Sequence, residues 1–317
     1  EMLAWHDRKR FELIAYSLAA DDGSAARQRV LQGADRVVDL SAVDDAAAAR
    51  QIAADDIDLL LDLGGFNDGA RPGILARRPA RLQLAWLSFM ATSGAPWIDY
   101  VLVDPVAVPD TARADFSEAC LRLPGTFFPC AYAASCAYAA SCVTPGLRED
   151  FALPAGKRLL AALHATYKID PQTFADWLEL LQRHADCVLV LLAARPEAQR
   201  RLAAYAAAAG VEADRLCFVP ALPHAEHLVR LACCDLVLDT PQCNGGTSTA
   251  DALVAGTPVL TLAGETLAQR MAASLLHAAG QADMVTCTRA DYVARAQALL
   301  SEPGGLRAQR ERLAAAL

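Results

Sequence analysis

The sequence predicts an α/β protein made of two doubly wound units, each built around a parallel β-sheet. Short apolar runs alternate with helical stretches over almost all of the 317 residues, which is the pattern that repeated βαβ units produce. Hydrophobic residues make up 54% of the chain, which is enough to bury the cores of two domains of ordinary size.

The first predicted unit covers residues 1–125. Its strands are expected at about residues 11–17, 35–40, 57–63, 82–87 and 100–103, with helices at about 24–31 and 45–54. The third of these strands ends at Gly64 and Gly65, where the chain is expected to turn. Because helical stretches separate the apolar runs, we expect the strands to be parallel.

Residues 126–153 are predicted to be a linker. Within them the sequence Cys-Ala-Tyr-Ala-Ala-Ser occurs twice in succession between Cys130 and Cys142. A period of six matches neither a helix nor a strand. We interpret the segment as low-complexity linker or local duplication, in preference to a metal or redox site.

The second predicted unit covers residues 154–317. Its strands are expected at about residues 158–163, 187–192, 216–219, 236–238 and 258–262. Helices are expected at about residues 173–183, 196–209, 225–233, 248–255, 266–279, 289–300 and 305–316. The first of these helices places Phe174, Trp177, Leu178 and Leu181 on one apolar face.

The composition excludes several classes of function. A net charge of -8 and a pI of about 5.3 argue against a nucleic-acid surface and against a polybasic membrane patch. No apolar run reaches the ~18 residues of a membrane-spanning helix. The ten cysteines contain no C-x-x-C pair, so we expect buried thiols, no metal and a cytoplasmic location. Because residue 1 is Glu, we expect a piece of a longer chain.

The stretch from Asp239 to Asp251 reads Asp-Thr-Pro-Gln-Cys-Asn-Gly-Gly-Thr-Ser-Thr-Ala-Asp. A strand, a glycine turn and a hydroxyl-rich helix start direct free N–H groups and the positive end of the helix dipole at one point. Gly245 and Gly246 would let a phosphate approach the backbone, and Asp251 would accept ribose hydroxyls. Two interpretations stay open here: a phosphate site, or an ordinary strand-to-helix connection with good caps.

Other residues follow the carboxyl ends of the predicted strands, the edge at which parallel sheets bind ligands. In chain order they are His164, Tyr167, Lys168, Leu222, His224, His227, Gly264 and Glu265. Each alone is typical of an ordinary surface or core residue. Together at one edge they favour a nucleotide diphosphate, with the lysine neutralising phosphate charge, a histidine or backbone group at the base and a carboxylate at the ribose.

Several familiar motifs are missing or misplaced. Asp56-Ile-Asp58 matches the D-x-D pattern of metal-dependent sugar transferases, but it precedes a strand and so implies no metal. The sequence contains no Walker lysine motif, no G-x-G-x-x-G and no G-x-S-x-G. These absences argue against P-loop, dinucleotide-binding and hydrolase-elbow functions.

Several segments together resemble the O-linked N-acetylglucosamine transferases, in their SPINDLY-like bacterial branch. The segments in the second unit are Thr166–Asp170, Asp239–Pro258 and Gly264–Ser274. Those in the first are Gly65–Arg71, Arg78–Gln83 and Thr92–Ala95. The resemblance runs over nearly the whole chain and keeps the family's order.

The resemblance implies a GT-B transferase whose two Rossmann-like lobes face a cleft. The donor would be UDP-N-acetylglucosamine, with no metal and no cofactor, and the sugar would pass with inversion to Ser or Thr hydroxyls of acceptor proteins. The resemblance assigns catalytic roles to Lys168 at the diphosphate and to Tyr167 beside the sugar. The residues that it assigns to the nucleotide sugar are Leu222, His224, His227, Asn244, Gly245, Gly246, Thr247, Ser248 and Asp251.

The chain also departs from the family's pattern. Gly246 stands where the family often has histidine, Ala165 where it usually has glutamine, and His224 where it has lysine. Residues 86–91 differ from its W-L-G-Y-P-G run. We expect its first strand, upstream tetratricopeptide repeats and last helices to lie outside this chain. A GT-B transferase for lipid or glycan acceptors, and a UDP-sugar-binding module without turnover, stay open as alternatives.

Overall fold

The computed structural model describes residues 2–87, 89–129, 146–193 and 195–316. The chain divides into two compact units, Glu1–Ser135 and Cys136–Leu317, called here the first and the second unit. All strand pairs in the described residues are parallel, so the predicted α/β class is confirmed. The linker bounds 126 and 153 stay predictions, and the duplicated segment lies outside the described residues.

The first unit contains two parallel sheets. Strands β1 (Ile14–Ser17) and β2 (Arg36–Asp39) pair with each other, and the second sheet has the order β3-β4-β5-β6. Its strands are β3 (Leu59–Asp62), β4 (Leu82–Ala85), β5 (Tyr100–Val103) and β6 (Ala119–Arg122). The helices are α1 (Ala25–Gly33), α2 (Asp45–Ala54) and α3 (Pro72–Leu75). Strand β6 and helix α3 are additions to the predicted elements.

Helix α2 shows why this part of the chain folds as it does. The Asp44 carboxylate caps its first turn by accepting the Ala47 N–H. Its buried face then packs against the two strands β1 and β2 and against β3. That core consists of Val38, Leu40, Ala48, Ala49, Ile52 and Ile74, with Ile14, Tyr16 and Leu60 packed against it.

The second unit is built around one six-stranded sheet with the order β12-β11-β10-β7-β8-β9. Its strands are β7 (Arg158–Ala162), β8 (Cys187–Leu192), β9 (Leu216–Val219), β10 (Leu236–Leu238), β11 (Val259–Leu262) and β12 (Val285–Thr286). Helices α4 (Pro171–Arg183), α5 (Pro196–Ala208), α6 (His224–Ala232) and α7 (Thr247–Val254) follow successive strands. Helices α8 (Met271–Ala278), α9 (Arg289–Ser301) and α10 (Gly305–Ala316) complete the unit.

The strand order of the second unit reverses between β7 and β10. The chain runs outward from β7 through β8 to β9, and then returns to place β10 on the other side of β7. Loops that leave such a pair of strands diverge, which opens a crevice at their carboxyl ends. The loop after β7 and the glycine turn after β10 therefore lie at the edge where a ligand is expected.

Two further findings bear on function. Among the described residues no helix is long and apolar enough to cross a membrane. Over the same part of the chain, no three or more His, Cys, Asp or Glu side chains are grouped so that they could hold a metal ion. Asp56 and Asp58 are exposed and precede β3, as the sequence predicts.

Candidate nucleotide-sugar site

The loops after β7 and β10 meet at the reversal of strand order. Lys168 lies in the short 3-10 turn Thr166–Lys168, and its Nζ donates to the Asn244 carbonyl oxygen at 3.4 Å. Nearby, Nε2 of the buried His164 lies 3.2 Å from the Leu238 carbonyl oxygen. The structure thus brings together two segments that are more than seventy residues apart in the sequence.

The glycine turn leads directly into helix α7. Gly246 precedes the first helical residue, Thr247, and no side chain of the described residues caps this helix end. The N–H groups at the start of α7 are therefore left for another acceptor, and the helix dipole places partial positive charge there. The Gly245 N–H is already used, because it donates to the Asp239 carboxylate at 2.8 Å. Gly246, Thr247 and Ser248 remain as the candidate residues for binding an anion at this end of the turn.

The absence of a side chain at Gly245 is a steric requirement. A Cβ at this position would clash with the Ser248 hydroxyl oxygen and lie 2.7 Å from Thr249 Oγ1. Thr249 is buried, and its hydroxyl oxygen has no hydrogen-bond partner among the described residues. Any larger residue at 245 would push the first turn of α7 out of place.

Asn244 stabilises the same turn by hydrogen bonds from a buried position. It is fully buried, its amide nitrogen donates to the Thr240 carbonyl oxygen at 3.0 Å, and its backbone N–H donates to Ala268 at 2.9 Å. The structure therefore places the Asn244 side chain within the loop. The bond to Ala268 ties the loop after β10 to the loop after β11.

Asp251, the expected ribose anchor, is on helix α7 and is paired with a residue on helix α6. His224 Nε2 lies 2.9 Å from Asp251 Oδ1, and the carboxylate is largely buried while the imidazole is half-exposed. The loop that carries half-buried Leu222 leads into α6 at His224. The expected base and ribose residues are thus gathered at the ends of two adjacent helices.

His227 is held in one protonation form by an arginine. The Arg230 Nη2 lies 3.0 Å from His227 Nδ1, and because arginine only donates, Nδ1 must accept. His227 is therefore neutral with its proton on Nε2. Burial and then the Arg230 charge lower the pKa of His227, in agreement with this form.

Arg230 is the residue that sequence reasoning missed. It is 1% exposed and also donates to the Pro220 carbonyl oxygen at 2.6 Å, so it fixes both His227 and the loop before α6. The signal was present in the sequence, since an arginine three residues after His227 lies on the same side of a helix as that histidine. Alone, that spacing is also typical of an ordinary amphipathic helix.

Tyr167 differs from the other expected residues because its ring is 85% exposed. It sits beside Lys168 at the carboxyl end of β7. An exposed aromatic ring at a ligand-binding edge offers a flat apolar face to a sugar or base. Its role there stays a prediction.

The first unit has its own glycine turn after β3. The Asp62 carboxylate accepts the Gly64 N–H at 2.9 Å and the Gly65 N–H at 3.1 Å. Gly65 has a φ of +58°, and a Cβ there would clash with Phe89. The turn predicted at the end of the third strand is therefore confirmed.

Comparison with known proteins settles the family. The profile of Glycosyl transferase family 41 matches residues 2–139 and 131–316. The chain belongs to glycosyltransferase family 41. The two matches overlap at residues 131–139, which lie inside the duplicated segment.

Named members of glycosyltransferase family 41 are similar over most of the chain. A probable UDP-N-acetylglucosamine–peptide N-acetylglucosaminyltransferase, SEC, of Arabidopsis thaliana is 34% identical over 275 residues, which cover 87% of this chain and 28% of the relative. The UDP-N-acetylglucosamine–peptide N-acetylglucosaminyltransferase of Caenorhabditis elegans is 26% identical, with 91% of this chain and 34% of the relative covered. The chain thus spans about a third of these relatives' length.

Solved structures identify the fold. A mutant of the Thermobaculum terrenum O-GlcNAc transferase superposes with a TM-score of 0.90 and 28% identity, covering 99% of this chain and 59% of that one. A Rickettsia africae glycosyltransferase shares the fold at a TM-score of 0.55 and 9% identity. The predicted GT-B class is confirmed, and so is the resemblance to the O-linked N-acetylglucosamine transferases.

Proposed function

We propose that this chain is the catalytic region of a glycosyltransferase that moves N-acetylglucosamine from UDP-N-acetylglucosamine to Ser or Thr hydroxyls of proteins. Membership of family 41 and similarity to two peptide N-acetylglucosaminyltransferases support the reaction class. The observation that carries the proposal is the contact of Lys168 with the glycine turn at the start of α7. A lysine beside a free helix N-terminus is suited to a diphosphate.

The proposed chemistry depends on the leaving group. A bond forms between the acceptor oxygen and the anomeric carbon, on the face opposite the diphosphate, while the bond from that carbon to the β-phosphate oxygen breaks and the hydroxyl proton of the acceptor passes to water. The electron pair stays on UDP, so negative charge grows on the β-phosphate. Lys168 and the N–H groups of Gly246 and Thr247 would stabilise that charge, and no metal ion enters the scheme.

The remaining contacts support a position for the nucleoside. Asp251 would accept ribose hydroxyls through its carboxylate, while His224 holds that carboxylate in place. His227, fixed by Arg230, would pack on the uracil ring, and the backbone of Leu222 would bond the base edge. Gly245 and Asn244 would act through the shape of the turn, and Tyr167 would lie beside the sugar.

The proposal also covers partners and location. The donor is a UDP-sugar and the acceptor is a protein. Tetratricopeptide repeats upstream in the full-length protein would bind that acceptor. We propose a cytoplasmic location, in keeping with the free cysteines of the described residues.

Two measurements on one preparation test the function. Calorimetric titration with UDP should show saturable binding, and incubation with UDP-N-acetylglucosamine and an acceptor protein should release UDP and label the protein. UDP binding without transfer would contradict the enzymatic proposal and favour a binding module. Transfer to lipid or glycan acceptors alone would contradict the protein acceptor. Lack of UDP binding at millimolar ligand would contradict the site itself.

Replacement of the lysine tests the diphosphate contact. Lys168→Ala should weaken UDP binding by about 1–3 kcal/mol, the scale of a lost charged hydrogen bond. Lys157→Ala is a matched control, because the Lys157 Nζ also donates to a backbone carbonyl oxygen at 3.4 Å, that of Ala185. Calorimetry should show unchanged UDP affinity for the control. Equal affinities for the two variants would remove Lys168 from the site.

A further inference from the structure

Asp239 is a buried carboxylate beneath the glycine turn, and neither composition nor motif assigns it a role. It directly follows β10, has no exposed surface, and lies at the reversal of strand order in the second unit. Burying a carboxylate costs several kcal/mol unless its oxygens are well paired. Because its burial is unfavourable, we expect the Asp239 carboxylate to have a structural or functional role.

The two oxygens of this carboxylate accept hydrogen bonds from different parts of the fold, the glycine turn and a neighbouring strand. Oδ1 accepts the Gly245 N–H at 2.8 Å, and Oδ2 accepts the hydroxyl of Thr261, on the neighbouring strand β11, at 2.6 Å. The Asp239 side chain thus joins the sheet to the turn six residues later. Both bonds have the short distances of well-made hydrogen bonds.

The backbone of Asp239 is braced as well. The hydroxyl of buried Tyr292, on helix α9, donates to the Asp239 carbonyl oxygen at 3.3 Å, and the indole N–H of Trp177, on α4, donates to that hydroxyl at 3.2 Å. The Asp239 N–H also donates to the Leu260 carbonyl oxygen at 3.0 Å. With both ends fixed, the carboxylate is a rigid reference point for the turn.

No cation of the described residues forms an ion pair with Asp239 except, if protonated, His164. His164 Nε2 lies 3.8 Å from Asp239 Oδ1, but burial lowers the pKa of this imidazole and favours its neutral form. Burial also raises the pKa of the Asp239 carboxyl, against the opposing effects of His164, Thr261 and Gly245. The contacts of Asp239 therefore fix the position of its carboxylate more than they neutralise its charge.

We propose that Asp239 is a positioning residue for the diphosphate: by holding the Gly245 N–H it turns the following N–H groups of Gly246 and Thr247 outward to the phosphates. This inference rests on the proposed nucleotide site. Asp239 touches no ligand itself. Its loss should let Gly245 relax into the space where the phosphate would bind, while the nucleoside contacts on α6 and at Asp251 stay in place.

The ratio of two affinities separates this role from a general effect on folding. UDP and uridine share the base and ribose, but only UDP reaches the turn. Asp239→Ala should weaken UDP binding by roughly 10-fold or more, the equivalent of one or two lost hydrogen bonds, and leave uridine binding within about 2-fold. Asp239→Asn, which keeps an oxygen for the Gly245 N–H, should recover most of the UDP affinity.

A second pair of variants keeps the test valid if Asp239→Ala does not fold. Thr261→Val removes only the hydroxyl that orients Oδ2 of Asp239. It should weaken UDP binding by about 3-fold and leave uridine binding unchanged. Thr257→Val is the matched control, because the buried Thr257 hydroxyl donates to the Leu231 carbonyl oxygen at 2.7 Å, away from the turn. The control should keep both affinities.

The outcomes are distinguishable. If the wild type prefers UDP to uridine and the Asp239 and Thr261 variants keep that preference, the positioning role is overturned while the proposed function stands. Equal losses of UDP and uridine affinity would also overturn it, because they indicate general damage. If the wild type itself binds UDP no better than uridine, the proposed diphosphate site and the inference both fail.

Discussion

Each unit contains a strand with an aspartate at its end or directly after it, followed by a pair of glycines, and the two units use this motif differently. In the first unit the Asp62 carboxylate accepts the N–H groups of Gly64 and Gly65, two and three residues ahead. In the second unit Asp239 reaches six residues ahead to Gly245. The first turn is closed on itself, while the second encloses a longer loop.

The segments that come after the two turns differ too. The next helix of the first unit begins only at Pro72, whereas Gly246 leads directly into α7. Only the second turn therefore exposes a helix N-terminus with its partial positive charge. We therefore expect an anion site only at the second turn, where a helix starts directly after the glycine pair and the strand order reverses.

The largest effect on UDP affinity is expected when a single methyl group is added to the second turn. Gly245→Ala places a Cβ against the Ser248 and Thr249 hydroxyl oxygens, so we expect the first turn of α7 to shift at the point where phosphate would bind. We expect UDP affinity to fall by about 2 kcal/mol, roughly 30-fold, on the scale of overpacking costs. Titration calorimetry measures the change.

The matched control is the same substitution in the first turn. In Gly65→Ala the alanine must adopt a positive φ, and its Cβ clashes with Phe89. The substitution should therefore lower the free energy of unfolding by about 1–3 kcal/mol. UDP affinity should stay within about 2-fold. Similar losses of UDP affinity for the two alanine variants would contradict the distinction drawn between the turns.

A smaller effect is expected at the ribose. Asp251→Asn keeps the shape of the side chain and removes the charge that His224 Nε2 meets at 2.9 Å. The binding of UDP and of uridine should each weaken by about 1 kcal/mol, because both ligands contain the ribose. The ratio of the two affinities should not change, in contrast to the Asp239→Ala variant. A selective loss of UDP would place Asp251 at the phosphates.

The smallest expected effect is a pH dependence of stability. Burial and the Arg230 charge lower the pKa of His227 below its ordinary value of 6.5. As pH falls through that value, the unfolded chain takes up a proton that the folded chain refuses, so the unfolded state binds more protons and stability decreases. The contribution of His227 is present above pH 6.5 and lost below it.

Urea titrations of the wild type and His227→Gln at about pH 7 and about pH 5.5 measure this contribution. The wild type should lose more of its free energy of unfolding on acidification than the variant does. Other buried groups act equally in both proteins, so the comparison isolates His227. The same loss in both would show that His227 is not held neutral by Arg230.

Much of the fold was readable from the sequence because helix and strand periods are local. The helix predicted at 45–54 is α2 with the same bounds, and the five strands predicted in the second unit are β7 to β11 within one residue at each end, whereas β12 was not predicted. Strand β6 was missed because Ala119–Arg122 is short and carries alternating exposed residues, which a search for apolar runs passes over.

The candidate site was only partly readable. The glycine turn, Lys168 and Asp251 could be placed at strand and helix ends from the chain itself. Their partners could not, because the contacts between His224 and Asp251, or between Asp239 and Thr261, join residues more than twenty positions apart. Such contacts depend on which strands and helices become neighbours, which no local pattern specifies.

A crystal structure of this chain with UDP tests the central claim most directly. We predict that the β-phosphate oxygens lie within about 3 Å of the Gly246 and Thr247 N–H groups and of Lys168 Nζ. The ribose should then contact Asp251. A structure with UDP bound elsewhere, or with its diphosphate directed away from the start of α7, would contradict the account.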